Sequence, residues 1–114
     1  MSMNTSMSEA CALISVTFLQ QNEKQLALLM QAGRTKQNTI AAKTLRSETV
    51  KEQGDKSYTE IQYLFLFEKP IASTHLQFLS DLLANGFLLS LKVSGSIVRE
   101  QYGNTIVNNL NLTI

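Results

Sequence analysis

The chain has 114 residues, 44% of them hydrophobic, and its ten Lys and Arg almost balance nine Asp and Glu. This length and composition predict one domain that buries a core of its own. A formal charge of +1 gives no overall attraction to nucleic acid or to an acidic membrane. The single cysteine, Cys11, excludes an internal disulfide framework.

The start of the chain, "MSMNTSMSEA", has neither the positive charge nor the apolar run of a signal peptide. We interpret residues 1–9 as a flexible leader and residues 10–114 as a single α+β domain. No apolar run approaches the roughly 20 residues that a transmembrane helix needs. The sequence therefore predicts a soluble, cytoplasmic protein with no membrane partner.

The first two elements are a strand and a helix. Residues 10–19 alternate apolar and polar side chains and are rich in β-branched residues, as in a strand with one buried face. The period then changes, and Leu26, Leu29 and Met30 form one helical stripe. Gly33 is typical of the residue that follows a helix, so we predict that the helix ends there.

Two strands are predicted next, around the polar turn "KEQGDKS". The first, roughly residues 38–50, has modest apolar content and several charges, which suits an edge strand. The second, residues 58–67, is apolar on both sides near its end, which suits a central strand. A helix over residues 40–51 is the main alternative for the first strand, and the sequence leaves this choice open.

A second helix and two more strands complete the chain. A capping box at residues 74–77 predicts the helix start, and Gly86 predicts its end. Residues 87–93 then read as a strand, 102–104 as a turn and 108–114 as a final alternating strand. The order βαββαβ plus one C-terminal strand predicts a two-layer ferredoxin-like (split βαβ) sandwich, with both helices on one face of a mainly antiparallel sheet.

The stretch "QYLFLF" places Tyr63, Phe65 and Phe67 on one face of the predicted third strand. RNA-recognition motifs also carry alternating aromatic residues on this strand, exposed for base stacking. Here the basic residue and the glycine that begin that motif are absent. Phe18 is the only aromatic residue of the first strand. We therefore interpret the three aromatics as core and do not assign the chain to that family.

The opposite face of the sheet is predicted to carry apolar side chains that two helices cannot cover. A further apolar row is expected on the C-terminal strand. Such surfaces usually mark a partner site. The proposed partner-binding residues are Leu64, Leu66, Leu88, Leu110 and Leu112. The leading hypothesis is a small non-enzymatic interaction or regulatory protein, joined to itself through its sheet as a homodimer or larger closed oligomer, or to another protein.

The alternative hypothesis is a nucleic-acid-binding protein that uses the basic segment 34–51. This segment has five positive residues and one negative residue, Glu48, and could follow a phosphate backbone. A solvated edge strand explains the same charges. The candidate contacts are Arg34, Lys36, Lys43 and Arg46, which we expect to be exposed in either case.

No convergent set of catalytic or cofactor-binding residues is evident. One Cys and one His provide too few ligands for a zinc site, and no Gly-rich loop precedes a helix as a phosphate site requires. A Cys11–His75 catalytic pair is formally open, but a buried cysteine and a solvated histidine are the expected roles. We predict no catalytic residue, metal or cofactor. An enzyme remains a third hypothesis, because this fold hosts many functions.

Overall fold

Six strands and two α-helices make up the described part of the chain. The structure is a computed structural model that describes residues 11–36 and 41–114, with the side chains of 33–36 excepted. A 3₁₀ turn, Gln20–Asn22, joins the first strand to the first helix. The elements are β1 (Ala12–Leu19), α1 (Glu23–Lys36), β2 (Lys43–Gln53), β3 (Lys56–Phe67), β4 (Ile71–Ala72), α2 (Ser73–Ala84), β5 (Ser90–Gln101) and β6 (Asn104–Thr113).

The sheet runs β2-β3-β1-β5, with every neighbouring pair antiparallel, and β5 also pairs with β6 and, in parallel, with β4. An α+β fold is therefore present, but the prediction of a simple two-layer ferredoxin-like sandwich is wrong. The prediction ended the fourth strand at Val93, whereas β5 continues to Gln101. The added length gives β5 new neighbours and makes the fold mostly a six-stranded sheet with two short helices.

Gly95 is the point at which β5 exchanges one neighbour for another. Its φ is +118°, and a Cβ atom added there would lie 2.3 Å from the Cys11 carbonyl oxygen. Only glycine fits such a backbone and such a close approach. Pairing with β1 ends at Gly95, and two residues later Ile97 lies opposite Ile71 of β4. The strand therefore continues beyond its predicted end at Val93 because a glycine permits the exchange.

The core lies between the helices and one face of β1, β3 and β5. Ile14, Val16 and Phe18 are fully buried, and each alternates with a partly exposed residue. Removing this apolar surface from water contributes about 25 cal/mol per Å². Phe65 and Phe67 are 3% and 2% exposed on the same face. The interpretation as core residues is therefore confirmed for Phe65 and Phe67, while Tyr63 is partly buried and packs against the core.

Helix α1 continues to Lys36, so the predicted end at Gly33 is wrong. A glycine inside a helix costs only about 0.5–1 kcal/mol relative to alanine, and the Arg and Lys nearby are good helix formers. The stripe prediction is supported, because Leu26 and Met30 are 0% and 1% exposed.

Helix α2 begins at Ser73, one residue before the predicted cap. Ala72 takes the N-cap position without a side-chain hydrogen bond, because β4 leads directly into the helix. The predicted end is confirmed: Gly86 has a φ of 82°. Its N–H donates to the Leu83 carbonyl, and the Phe87 N–H donates to the Leu82 carbonyl. These two bonds form a Schellman motif, which satisfies the last carbonyls of the helix.

Strand β2 settles the choice left open between strand and helix. It is a strand at the sheet edge, and all eleven of its residues are exposed. A two-residue turn, with Gly54 at a φ of 63°, connects it to β3. The equivalent turn between β5 and β6 is formed by Tyr102 and Gly103, with φ values of 54° and 80°, as in a type I′ hairpin.

Candidate functional site

Two long strands, β2 and β6, lie at edges of the sheet, and the two-residue strand β4 also pairs only with β5. Within the described residues, β2 pairs only with β3, and β6 pairs only with β5. Leu91 and Ile114 exchange both backbone hydrogen bonds, at 3.2 and 2.9 Å. Such pairs recur at every second residue of an antiparallel ladder. The unpaired N–H and C=O groups of β6 therefore belong to Thr105, Val107, Asn109, Asn111 and Thr113.

The two edges differ in charge. Strand β2, "KTLRSETVKEQ", contains five charged residues, whereas β6, "NTIVNNLNLT", contains none, and it contains no proline or glycine. Charged residues and prolines on an edge strand discourage pairing with another chain. Of the two long edge strands in the described chain, β2 therefore carries features that resist pairing and β6 lacks them.

The five residues predicted to bind a partner lie in different environments. Leu66 is 3% exposed, flanked by Leu13 and Lys43 in the neighbouring strands, and Leu88 is 4% exposed in the core. The placement of Leu88 on the open face is wrong, because β5 begins only at Ser90 and Leu88 belongs to the preceding turn. Leu89 is 47% exposed instead.

The other three predicted partner residues are half-buried. Leu64 lies on the sheet face away from the helices, which we call the open face. Leu110 and Leu112 lie on the helix side, opposite Gly95 and Val93, and pack against the core. They anchor β6, so only its backbone edge and its other face are available to a partner.

The open face carries a shallow concavity of about 230 Å³. The strand register brings two rows of side chains together there. The first row contains Leu13, Ser94 and Asn111, and the second contains Leu64, Ser15, Lys92 and Thr113. Next to these rows a hydrogen-bonded polar belt crosses the sheet, in which Gln62 donates to Ser15 at 2.8 Å and Ser47 donates to Gln62 at 3.2 Å.

The basic segment is only partly available for phosphate contacts. Lys43 and Arg46 are exposed, as predicted, while the side chains of Arg34 and Lys36 lie outside the described set. Arg46 is engaged: its Nε and Nη2 donate to the Glu23 carboxylate at 2.7 and 2.8 Å, and its Nη1 donates to Glu48.

Glu23, Arg46 and Tyr63 form a cluster that sequence reasoning missed. The hydrogen bonds from Arg46 and then Tyr63 lower the pKa of Glu23 to about 2. Desolvation, followed by the bond from its hydroxyl to Glu23 at 2.7 Å, raises the pKa of Tyr63 to about 12. The cluster borders a concavity of about 360 Å³ between α1 and β2–β3. Its three members come from three elements, so no spacing in the sequence pointed to it.

The remaining candidate chemistry is limited. His75 was expected to be solvated, but it is 2% exposed and stacks against Phe78, because it shares the buried face of α2 with Leu79 and Leu82. Cys11 is half-buried at the start of β1. Within the described residues, no three potential metal ligands come together. In the same part of the chain, neither helix has the length and apolar content needed to cross a bilayer.

No family model and no curated protein sequence matches the chain. Among solved structures, it is similar to a phage SAM lyase in complex with S-methyl-5'-thioadenosine, with 16% identity. The match covers 89% of this chain and 88% of that chain, with a TM-score of 0.43. At that score the likeness carries no argument about activity.

Proposed function

We propose that the protein is an interaction module that self-associates by pairing the β6 edge of one copy with the β6 edge of a second copy. The observation that carries this proposal is the uncharged edge of β6, in a sheet whose other edge is charged throughout its length. A free edge can extend a sheet across a two-fold axis. Burial of Leu66 and Leu88 weakens the competing idea that the open-face leucines form the interface.

One register uses all the available backbone groups. Antiparallel pairing with Asn109 opposite the second Asn109 brings Val107 opposite Asn111 and Thr105 opposite Thr113. Each copy then contributes five N–H donors and five acceptors. At about 1 kcal/mol net for each bond, the total is comparable with the cost of association, about 4–15 kcal/mol. The backbone bonds alone therefore about offset that cost, and a dimer at micromolar concentrations also requires favourable side-chain contacts across the two strands.

The side chains are compatible with this register on both faces. On the open face, two Asn109 amides meet, and Thr105 meets Thr113, pairs that hydrogen-bond across strands. On the helix side, the register places Ile106 beside Leu112 and Asn108 beside Leu110, and both leucines already pack against the core of their own chain. No charge is desolvated anywhere along the strand, since β6 has none.

Sedimentation equilibrium at micromolar concentrations tests the proposal. We expect the unmodified protein to show twice the mass of one chain and to dissociate on dilution. In Asn109→Lys, like charges lie directly opposite across the two-fold axis, so the dimer weakens, and added salt partly restores it. A protein that is monomeric throughout this range contradicts the proposal. A dimer that is indifferent to Asn109→Lys contradicts the β6 register.

Nucleic-acid binding through segment 34–51 is the alternative, and it has less support. Arg46 donates to two carboxylates rather than projecting freely, and Glu23 and Glu48 add negative charge beside it. Affinity for mixed oligonucleotides, measured against salt, tests it. Phosphate contacts by Lys43 and its neighbours would give a steep loss of affinity as salt rises, and a flat or absent response removes the alternative.

A further inference from the structure

The concavity on the open face combines an apolar floor with a single charge. Leu13 and Leu64 supply the apolar side chains, and Lys92 lies at the wall opposite Ser15. Hydroxyl and amide groups of Ser94 and Asn111 complete the polar wall. Pockets that bind small molecules typically pair an apolar lining with a few convergent polar groups.

Lys92 is exposed and makes no ion pair with any described residue. Among the described residues that line the concavity, it is also the only charged one. The nearest carboxylates along and just beyond β3 are those of Glu60 and Glu68, each four residues from Leu64, which is roughly 13 Å at the usual rise of a strand. The concavity is therefore complementary to a negative charge, in a molecule whose net charge is close to zero.

We propose that this concavity binds a free short-chain aliphatic carboxylate. The chain would lie over Leu13 and Leu64, and the carboxylate would accept hydrogen bonds from the Lys92 ammonium and the Ser94 hydroxyl. A charge-assisted bond of this kind is stronger than a neutral one. The volume of about 230 Å³ lies below the range of sites for drug-sized ligands, which favours a small ligand. This inference does not depend on pairing of β6, because pairing there extends the sheet and leaves its open face uncovered.

Titration of the full chain with hexanoate, followed by amide chemical shifts, tests the proposal. We expect saturable shifts confined to the lining of the concavity, namely Leu13, Ser15, Leu64, Asn111 and the Lys92–Ser94 segment. Hexanol lacks the charge and acetate lacks the apolar chain, so each should bind at least about tenfold more weakly, equivalent to 1.4 kcal/mol. Shifts spread over the surface, or equal binding of hexanol, would overturn the proposal.

Two lysine variants form a matched pair for the same titration. Lys92→Met keeps the aliphatic part of the side chain and removes the charge, and it should weaken hexanoate binding about tenfold or more. Lys51→Met makes the same change on exposed β2 and should leave binding unchanged. Equal loss in both variants, or no loss in Lys92→Met, counts against the site. If Lys92→Met shifts sedimentation but not hexanoate binding, a second copy occupies this face and the proposal fails.

Discussion

The β2 and β6 edges are built from strands of similar length but opposite chemistry. Strand β2 has charges along its length and every residue exposed, whereas β6 is uncharged and partly buried. Charges on β2 keep its unpaired backbone groups in water and repel another strand. The difference shows that side-chain charge alone can distinguish two long edge strands that present the same unpaired backbone groups.

The two edges are also attached to the molecule differently. Strand β2 is joined to α1 by the Arg46–Glu23 ion pair, while β6 is held by Leu110 and Leu112 packing against the core. Exposed ion pairs contribute little to stability and are weakened by salt. Apolar contacts are insensitive to moderate salt. Each edge therefore has an attachment that a different experiment can break.

The largest effect is expected from proline at matched positions. Val107 and Val50 are 54% and 68% exposed, and each lies three residues from the end of a two-residue hairpin. Alternation of the ladder turns both N–H groups outward, so proline should leave each hairpin intact. Val107→Pro should weaken the dimer by about 2 kcal/mol, roughly thirtyfold. Val50→Pro should leave sedimentation unchanged. Equal weakening of the dimer by both variants would show that association does not depend on which edge is changed.

A smaller loss is expected when the apolar anchor of β6 is shortened. Leu112→Ala should lower the free energy of unfolding by about 1–2 kcal/mol, since a fully buried leucine costs about 2–5 and Leu112 is half-buried. Leu45→Ala on β2, where the leucine is 42% exposed, should cost less than about 0.5 kcal/mol. Urea denaturation at one protein concentration measures both. A larger loss for Leu45 would show that β2 is the better packed edge.

The ionic anchor of β2 should reveal itself through pH. Because folding lowers the pKa of Glu23 to about 2 from 4.5, its stabilisation is present above pH 4.5 and is lost as pH falls towards 2. Glu23→Gln should lower the free energy of unfolding at neutral pH by less than Leu112→Ala does. It should also make the free energy of unfolding less dependent on pH between 4.5 and about 2. Added salt should reduce the difference in the free energy of unfolding between Glu23→Gln and the unmodified protein. An unchanged acid profile would mean that the ion pair does not hold β2 in solution.

The smallest effect is expected from Tyr63→Phe. The change removes the hydroxyl donor to Glu23, while the edge-to-face contact with Phe18, at 5.1 Å, can remain. We expect a loss of about 1 kcal/mol or less. Because folding raises the pKa of Tyr63 to about 12 from 10.0, its stabilisation is lost as pH rises through 12. The melting temperature of the variant should fall less between pH 10.0 and about 12 than that of the unmodified protein. An equal fall in both proteins would show that other groups cause the alkaline loss.

Local patterns predicted the elements, because alternation and helical stripes report burial directly. Strand β1, the Leu26–Met30 stripe and the Gly86 end all follow from neighbouring residues. The predicted ends of elements were wrong where contacts with distant parts of the chain determine them. Strand β5 continues beyond Val93 because Gly95 meets the backbone of Cys11, a contact that no local pattern encodes.

The candidate site was less predictable for the same reason. Leu88 could not be assigned to a face without knowing that β5 begins at Ser90. The bonds joining Arg46 to Glu23 depend on how β2 lies beside α1. Leu66, one of the proposed partner-binding residues, is buried, so a substitution there would test stability rather than association. Two of the partner residues predicted from the sequence, Leu110 and Leu112, lie on the C-terminal strand, and the proposal keeps that strand while assigning the contact to its backbone edge.

The central position of β1 has a consequence for the order of folding. Each long hairpin closes over a two-residue turn, whereas Ser15 of β1 lies opposite both Leu64 and Lys92, far away along the chain. Hairpins form in about 1–10 μs, but joining distant strands requires closure of long loops. Insertion of β1 between two preformed hairpins should therefore limit the rate. Val16→Ala should slow refolding in a chevron experiment, whereas changes near Tyr102 should leave the refolding rate almost unchanged.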